Sequence, residues 1–362
     1  MVKIYLINSY FTKNGEKNVT GSDKFAINLI LKDIENRIKV ILIAPKSILP
    51  LLGKVEVNFI DSGNYEKYPL LISYLCRTFR AIKELIRIQD IGDIISASDF
   101  FTDVIPAFLF SRKYRWIAFT YHLYPFSLSL RSLVGRTLQI VSFFVFKRAS
   151  KVFVTNKESE NFLKKNFRIK NIHKINLGVD LKKYLNDRGV QKENRNLLYL
   201  GRFKESKGFF ELPEIVYYLN QNNSDFILNI VGNGSDDDIE KIKELLVSYK
   251  VEDKVKIHRN LSDSKVLELL KISNILIHPS FEEGFSLAIL ESLASNLKIC
   301  AYDLPVYKEI YEDFEILTCK IHNTKSFAKN IEKLLKSKQK TNYSKEMFAT
   351  FDFAKTYDFI FN

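Results

Sequence analysis

The chain has 362 residues, 46% hydrophobic and 27% charged, a globular composition with room for about two domains of roughly 100–200 residues; extended disorder, collagen and coiled coil are excluded. The net charge of +13 is uneven: residues 1–190 hold 31 Lys and Arg against 16 Asp and Glu, and residues 191–362 hold 24 against 26, so the first half suits an anionic partner such as nucleic acid, acidic lipid or a phosphorylated small molecule. Cys76, Cys300 and Cys319, odd in number and widely spaced, exclude a disulfide scaffold and a cysteine metal site and fit a reducing compartment.

The opening run 2–8 is too short and too strand-like for a signal peptide. Strands are expected at 2–8, 40–44, 55–60, 93–97, 115–121 and 152–155, with amphipathic helices at 23–34, 71–88, 128–146 and 157–166. The strands are nearly continuous Val, Ile, Leu and Phe rather than alternating, as when both faces of a parallel sheet are covered. Residues 181–196 are polar and lack apolar periodicity, which marks a linker. The pattern then restarts, with strands at 197–200, 226–231, 254–258, 275–278 and 298–301. Helices are expected at 208–220, 239–249, 265–272 and 287–294, and closing helical segments near 324–336 and 344–361. Strand–helix alternation of this kind predicts two successive doubly wound α/β domains, whose ligands bind outside the carboxyl ends of the strands in a shared cleft. No run reaches the ~18 apolar residues of a membrane-spanning helix, so a cytoplasmic protein is expected.

The most informative stretch is His278-Pro279-Ser280-Phe281-Glu282-Glu283-Gly284-Phe285-Ser286-Leu287-Ala288-Ile289-Leu290-Glu291. A strand ends, a turn carries acids and a glycine, and a helix starts near Phe285. Free N–H groups at such a helix start suit phosphate, and Ser286 can add a hydroxyl donor. Glu283 and Glu291 flank that point and can accept hydrogen bonds from sugar hydroxyls, although either acid alone would also suit an ordinary helical position. A second stretch, Leu200-Gly201-Arg202-Phe203-Lys204-Glu205-Ser206-Lys207-Gly208, places two cations after another strand, where they can neutralise a diphosphate. In Gly232-Asn233-Gly234 a third strand ends in a turn open to a ligand.

Together these residues resemble glycosyltransferase family 4, the retaining nucleotide-sugar transferases of group 1 with the GT-B fold. The family's E-x7-E signature is matched by Glu283 and Glu291, its Gly-Arg and Lys-Gly element by Gly201-Arg202 and Lys207-Gly208, and its Gly-x-Gly by Gly232–Gly234. Leu177-Gly178-Val179-Asp180 resembles the Asn-Gly-Val-Asp element before the domain linker, and Phe351 to Tyr357 the segment that crosses back to the first domain. Departures from the pattern are Gly21-Ser22 for a Gly pair, Ser286 for a Gly, Ala288 for a Pro, and Asn176 spaced one residue further from its Gly.

The resemblance implies two Rossmann-like domains facing across a cleft. Residues 1–183 would bind the acceptor, 184–343 the donor, and 344–362 would form a helix returning to the first domain. Arg202 and Lys207 would hold the donor diphosphate, Glu291 the ribose and Glu283 the transferred sugar. The amides of Phe285, Ser286 and Leu287, with Gly284, would cap the phosphate. His122 would lie near the reacting sugar and Gly21-Ser22 would face donor and acceptor. No metal or other cofactor is implied beyond a co-substrate such as a UDP- or GDP-sugar, used to glycosylate a glycan, lipid-linked or other hydroxyl acceptor.

Arg112, Lys113, Arg115, Arg131, Arg136, Lys147 and Arg148, interleaved with Phe126, Leu128, Leu130, Leu133, Leu138, Phe143 and Phe144, form a basic amphipathic stretch suited to an anionic membrane surface. Peripheral attachment to the inner membrane face is the expectation this raises. Two other readings stand beside the transferase: a sugar-nucleotide epimerase of the same fold, and a non-enzymatic basic protein binding nucleic acid. The latter lacks a motif for base contact and leaves the second domain's acids and cations without a role, so no nucleic acid partner is expected.

Overall fold

Short runs of Val, Ile, Leu and Phe in the first part of the chain pair side by side as one seven-stranded sheet: β1 (Val2–Leu6), β2 (Lys39–Ala44), β3 (Asn58–Asp61), β4 (Gly92–Ser96), β5 (Arg115–Thr120), β6 (Lys151–Val154) and β7 (Ile172–Lys174). The computed structural model describes residues 2–10, 19–65, 67–124, 130–185, 195–221, 225–337, 341 and 343–362, and of residues 70 and 130–133 the backbone alone. All pairings in this sheet are parallel, in the order β3-β2-β1-β4-β5-β6-β7. Every residue of β1 is buried, so a continuous apolar run is what a two-sided parallel sheet needs. One exception is met internally: Lys3 donates to Asp33 Oδ1 at 2.6 Å and Tyr5 donates to the other oxygen at 2.6 Å.

The second part repeats the plan with β8 (Asn196–Leu200), β9 (Ile227–Gly232), β10 (Val255–Arg259), β11 (Ile275–His278), β12 (Lys298–Tyr302) and β13 (Ile316–Cys319). Its parallel order is β10-β9-β8-β11-β12-β13. In each sheet the order reverses beside the first strand, at β1/β4 and at β8/β11, and in open α/β sheets ligands bind at the carboxyl ends of such a pair.

The chain divides into the units Met1–Ile175 and Asn176–Asn362, so the expected boundary at 183/184 falls inside the second unit and residues 344–362 belong to it. Backbone pairing holds that unit's two ends together. Val179 donates to Phe351 O at 3.0 Å, Phe353 donates to Val179 O at 3.2 Å, and Thr356 Oγ1 donates to Asn176 O at 3.1 Å. Within the expected linker, Leu181–Leu185 is helical, and 186–194 lie outside the described residues.

Part of the basic stretch 112–148 is used within the first unit, while Arg112, Lys147 and Arg148 are exposed. Arg115 makes a two-pronged contact with buried Asp93 at 2.8 and 2.7 Å, Lys113 donates to Ile88 O, Arg136 donates to Tyr124 O, and Phe143 is in the core. Phe126 and Leu128 lie outside the described residues. Among the described residues no helix is long and apolar enough to cross a membrane.

Candidate functional site

Strands β8 and β11 are hydrogen-bonded neighbours, with Leu197 opposite Ile275 and Leu198 opposite Leu276. The two richest motifs therefore leave the same edge of the sheet side by side. After β8, Tyr199 anchors the turn by donating to Arg202 O at 2.8 Å, with Lys207 O at 3.4 Å. Gly208 has φ +65°, and a Cβ there would lie 1.9 Å from Pro279 O. Only glycine allows that approach, and it draws Lys207 onto the loop that follows β11. The Phe281 N–H donates to Ser206 O at 3.0 Å and closes the same junction.

The result is a compact ionic cluster. Lys207 Nζ lies 2.9 Å from Glu283 Oε1 and donates to Glu282 O at 2.9 Å. His278 Nε2 lies 3.1 Å from the same carboxylate oxygen and 3.1 Å from Ser286 Oγ. Both protein contacts of Glu283 thus fall on Oε1, and Oε2 has no partner among the described residues. Burial alone would raise the Glu283 carboxyl. The Lys207 ammonium and the His278 hydrogen bond outweigh it and hold the group well below the usual carboxylate range. Glu283 is therefore an oriented anion with one oxygen left to accept. Half-buried Arg202 forms no side-chain hydrogen bond or ion pair among the described residues. It faces the same Tyr199 hydroxyl whose ionisation burial first, and then Glu283, oppose.

The helix after β11 runs Leu287–Ala294, the span its apolar pattern predicts, and starts two residues beyond Phe285, near which the motif placed its start. Ser286 is the N-cap, with φ 70° and its hydroxyl accepting from the Ile289 N–H at 3.4 Å. This left-handed backbone gives a physical reason for the glycine usual at that position. Tyr311 donates to Ser286 O at 2.9 Å, and the Phe285 ring is buried against Tyr311 and Phe351. Glu291 lies one turn into the helix and is 8% exposed. Its Oε1 accepts from the Tyr184 hydroxyl at 3.2 Å. Both acids act on the Tyr311 hydroxyl, whose ionisation is opposed by burial, then by Glu283 and Glu291.

The strand-end glycines serve the protein's own packing. A Cβ on Gly232 would lie 1.8 Å from Gly201 O, and one on Gly234 2.5 Å from Phe203 Cβ. Gly232 and Gly234 thus let the turns after β8 and β9 cross, which accounts for them without a ligand.

Gly21, Ser22 and His122 belong to the first unit. Gly21 and Ser22 form the first turn of the helix Gly21–Glu35, capped by Thr20. Neither has positive φ, so Ser22 takes its place without strain. His122 follows β5 and is exposed. Its carbonyl accepts from Gln139 Nε2 at 2.9 Å, and the same amide donates to Asp99 Oδ2 at 2.9 Å, which also accepts from Thr120. Sequence reasoning passed over His278 as an anchor of Glu283, and over Tyr184, Asp99 and Gln139. His278, directly at the strand end, was the one detectable signal. Among the described residues no group of three His, Cys, Asp or Glu could hold a metal ion.

Residues 182–347 match the model of the family described as glycosyl transferases group 1. Over 133 residues, 37% of this chain and 35% of the relative, the chain is 26% identical to the GDP-mannose:cellobiosyl-diphosphopolyprenol alpha-mannosyltransferase of Xanthomonas campestris. Over 145 residues, 40% of each protein, it is 30% identical to an uncharacterized glycosyltransferase of Haemophilus influenzae. The matched stretches span between 35% and 40% of these curated relatives. Among solved structures, Anabaena Alr3699/HepE in complex with UDP-glucose aligns with a TM-score of 0.77, covering 99% of this chain and 98% of that one at 16% identity. That likeness shows the fold: GT-B architecture, built of two doubly wound α/β domains.

Proposed function

We propose, from the premise that through its second unit this chain belongs to the group 1 glycosyl transferases, that it moves a sugar from a nucleoside-diphosphate sugar to a hydroxyl acceptor. The observation that carries the reading is the cluster at β8/β11. Arg202, a guanidinium with no side-chain partner among the described residues, acts on the same Tyr199 hydroxyl as the oriented carboxylate of Glu283, whose Oε2 is left to accept from a sugar hydroxyl. Lys207 fixes that carboxylate and supplies a second cation beside the start of the helix Leu287–Ala294.

In the reaction the bond from the anomeric carbon to the β-phosphate oxygen breaks, and its electron pair stays on the phosphate. Arg202, Lys207 and the free amides at the helix start gain interaction energy as that charge grows, which is the condition for lowering a barrier. The acceptor oxygen attacks from the face the phosphate leaves, and its proton passes to the departing phosphate oxygen. The anomeric configuration is retained. Glu283 accepts from the sugar and Glu291 from the ribose. Fixed cations do the charge neutralisation here, so the reading is metal-independent.

The Xanthomonas relative is named for GDP-mannose and a diphosphopolyprenol-linked glycan, which supports a lipid-linked acceptor and a membrane surface. Helix Leu70–Arg87 supports the same surface: Leu71, Ile72, Leu75, Phe79 and Ile86 are exposed, Phe79 by 69% and Ile86 by 67%. Arg80, Lys83 and Arg87 share its exposed side. Exposed apolar residues flanked by cations suit an anionic bilayer. Flotation should show binding to anionic vesicles that Phe79→Asp with Ile86→Asp abolishes; wild type ignoring such vesicles would contradict it.

The transfer itself is tested by incubating the protein with UDP-, GDP- and ADP-sugars and polyprenol-diphosphate glycans. One donor should yield nucleoside diphosphate and a product of unchanged anomeric configuration, with chelator present. Conversion of the donor to its epimer without acceptor, or inversion at the anomeric carbon, would contradict the reading.

A further inference from the structure

Tyr184 was not among the residues singled out from the sequence, yet among the described residues it is the one side chain that holds Glu291. It lies on the short helix Leu181–Leu185, which packs on the helix Leu287–Ala294. Its hydroxyl donates to Glu291 Oε1 at 3.2 Å, and Oε2 of that buried acid has no partner among the described residues. Glu283 is held in the same way, by one oxygen with the other left open. Each acid of the pair therefore has its own protein anchor.

We infer that Tyr184 is a positioning residue that fixes Glu291 by one carboxylate oxygen so that the other meets the ribose hydroxyls of the bound nucleotide, and that it thereby sets the preference for ribonucleotides over deoxyribonucleotides. This rests on the reading of Glu291 as the acid that contacts the ribose. A glutamate has three rotatable bonds, and restricting it before the ligand arrives removes ordering that binding would otherwise have to supply. The phenol is suited to that duty. Burial first, then the Glu291 charge, opposes its ionisation, so it stays a neutral donor. It contributes a hydrogen bond without a competing charge, leaving the acceptor strength of Oε2 intact.

Phenylalanine at 184 keeps the ring and its packing but removes the donor. The test measures, by calorimetry, affinity for UDP or GDP, whichever wild type binds, and for its 2′-deoxy and 3′-deoxy counterparts, in wild type, Tyr184→Phe, Glu291→Gln and the double variant. Wild type should favour the ribonucleotide, and Glu291→Gln should abolish that preference. Tyr184→Phe should reduce it by about three- to tenfold, the worth of one hydrogen bond, with little change in melting temperature. The double variant should match Glu291→Gln. If Tyr184→Phe leaves the preference intact while Glu291→Gln removes it, Tyr184 only packs two helices and the inference is overturned. If Glu291→Gln also leaves the preference intact, the ribose reading itself fails.

Discussion

Lys207 and Glu283 depend on each other because each is mostly withdrawn from water, with side-chain exposures of 17% and 11%. Lys207→Met leaves a buried carboxylate with only His278 beside it. Turnover should fall about 10²–10³-fold, as when a charge-stabilising donor is removed, and the Glu283 carboxyl should titrate upward, visible by NMR of the labelled side chain; near-wild-type turnover would contradict its role. Two acids of the first unit, Asp99 and Asp103, both have carboxyls raised by burial and shape its pH behaviour. Asp103 accepts from Ser98 Oγ at 2.5 Å, Asn8 N at 2.6 Å and Ser9 Oγ at 3.2 Å. Burial nevertheless outweighs those donors and pushes its carboxyl up from 3.8 to about 7. The folded state then binds more protons than the unfolded state between those values, so stability falls as pH rises through that window and levels off above it. Asp103→Asn should flatten this slope in urea melts at a series of pH values; an unchanged slope would show that Asp103 is not its source.

At the scale of elements, the helix Leu287–Ala294 shows how far local sequence can be read. Its span, 287–294, matched the apolar pattern, but its cap was not legible, because Ser286 adopts φ 70°, a conformation most side chains avoid. Ser286→Gly loses a cap at a cost of a few tenths of a kcal/mol and gains backbone freedom, so its melting temperature should hold or rise. Ser286→Ala keeps the left-handed backbone and loses the hydroxyl, and should cost about 1 kcal/mol. Equal loss in both would mean the backbone is not strained there. Elements that escaped notice had weak local signals. β7 is three residues, Ile172-His173-Lys174; the helix Phe101–Leu109 contains Pro106; and Leu181–Leu185 reads as linker because Lys182 and Lys183 break its apolar face. Each is set by packing against neighbours rather than by its own periodicity.

For the whole molecule, the doubly wound plan was legible because continuous apolar runs recur between amphipathic stretches, and burial on both faces of a parallel sheet demands that pattern. Arg202, Lys207, Glu283 and Glu291 were legible because each lies in the loop that follows a strand or in the first turns of the next helix, and β8 and β11 proved to be neighbours. The anchors were not legible, since His278 and Tyr184 act through contacts that chain spacing does not encode. The basic stretch 112–148 is only partly spent inside the fold, Arg115 on Asp93 and Arg136 on the Tyr124 carbonyl, and exposed apolar residues lie both on its own helix, at Val134, Val141 and Phe144, and on the helix Leu70–Arg87. The proposed site depends above all on Arg202, which has no side-chain partner among the described residues, taking the donor diphosphate. Thermal denaturation of wild type and Arg202→Ala with UDP, GDP, ADP and their sugars addresses it directly. One nucleotide and its sugar should raise the wild-type melting temperature and leave the variant's nearly unmoved; an equal rise in both would contradict the claim.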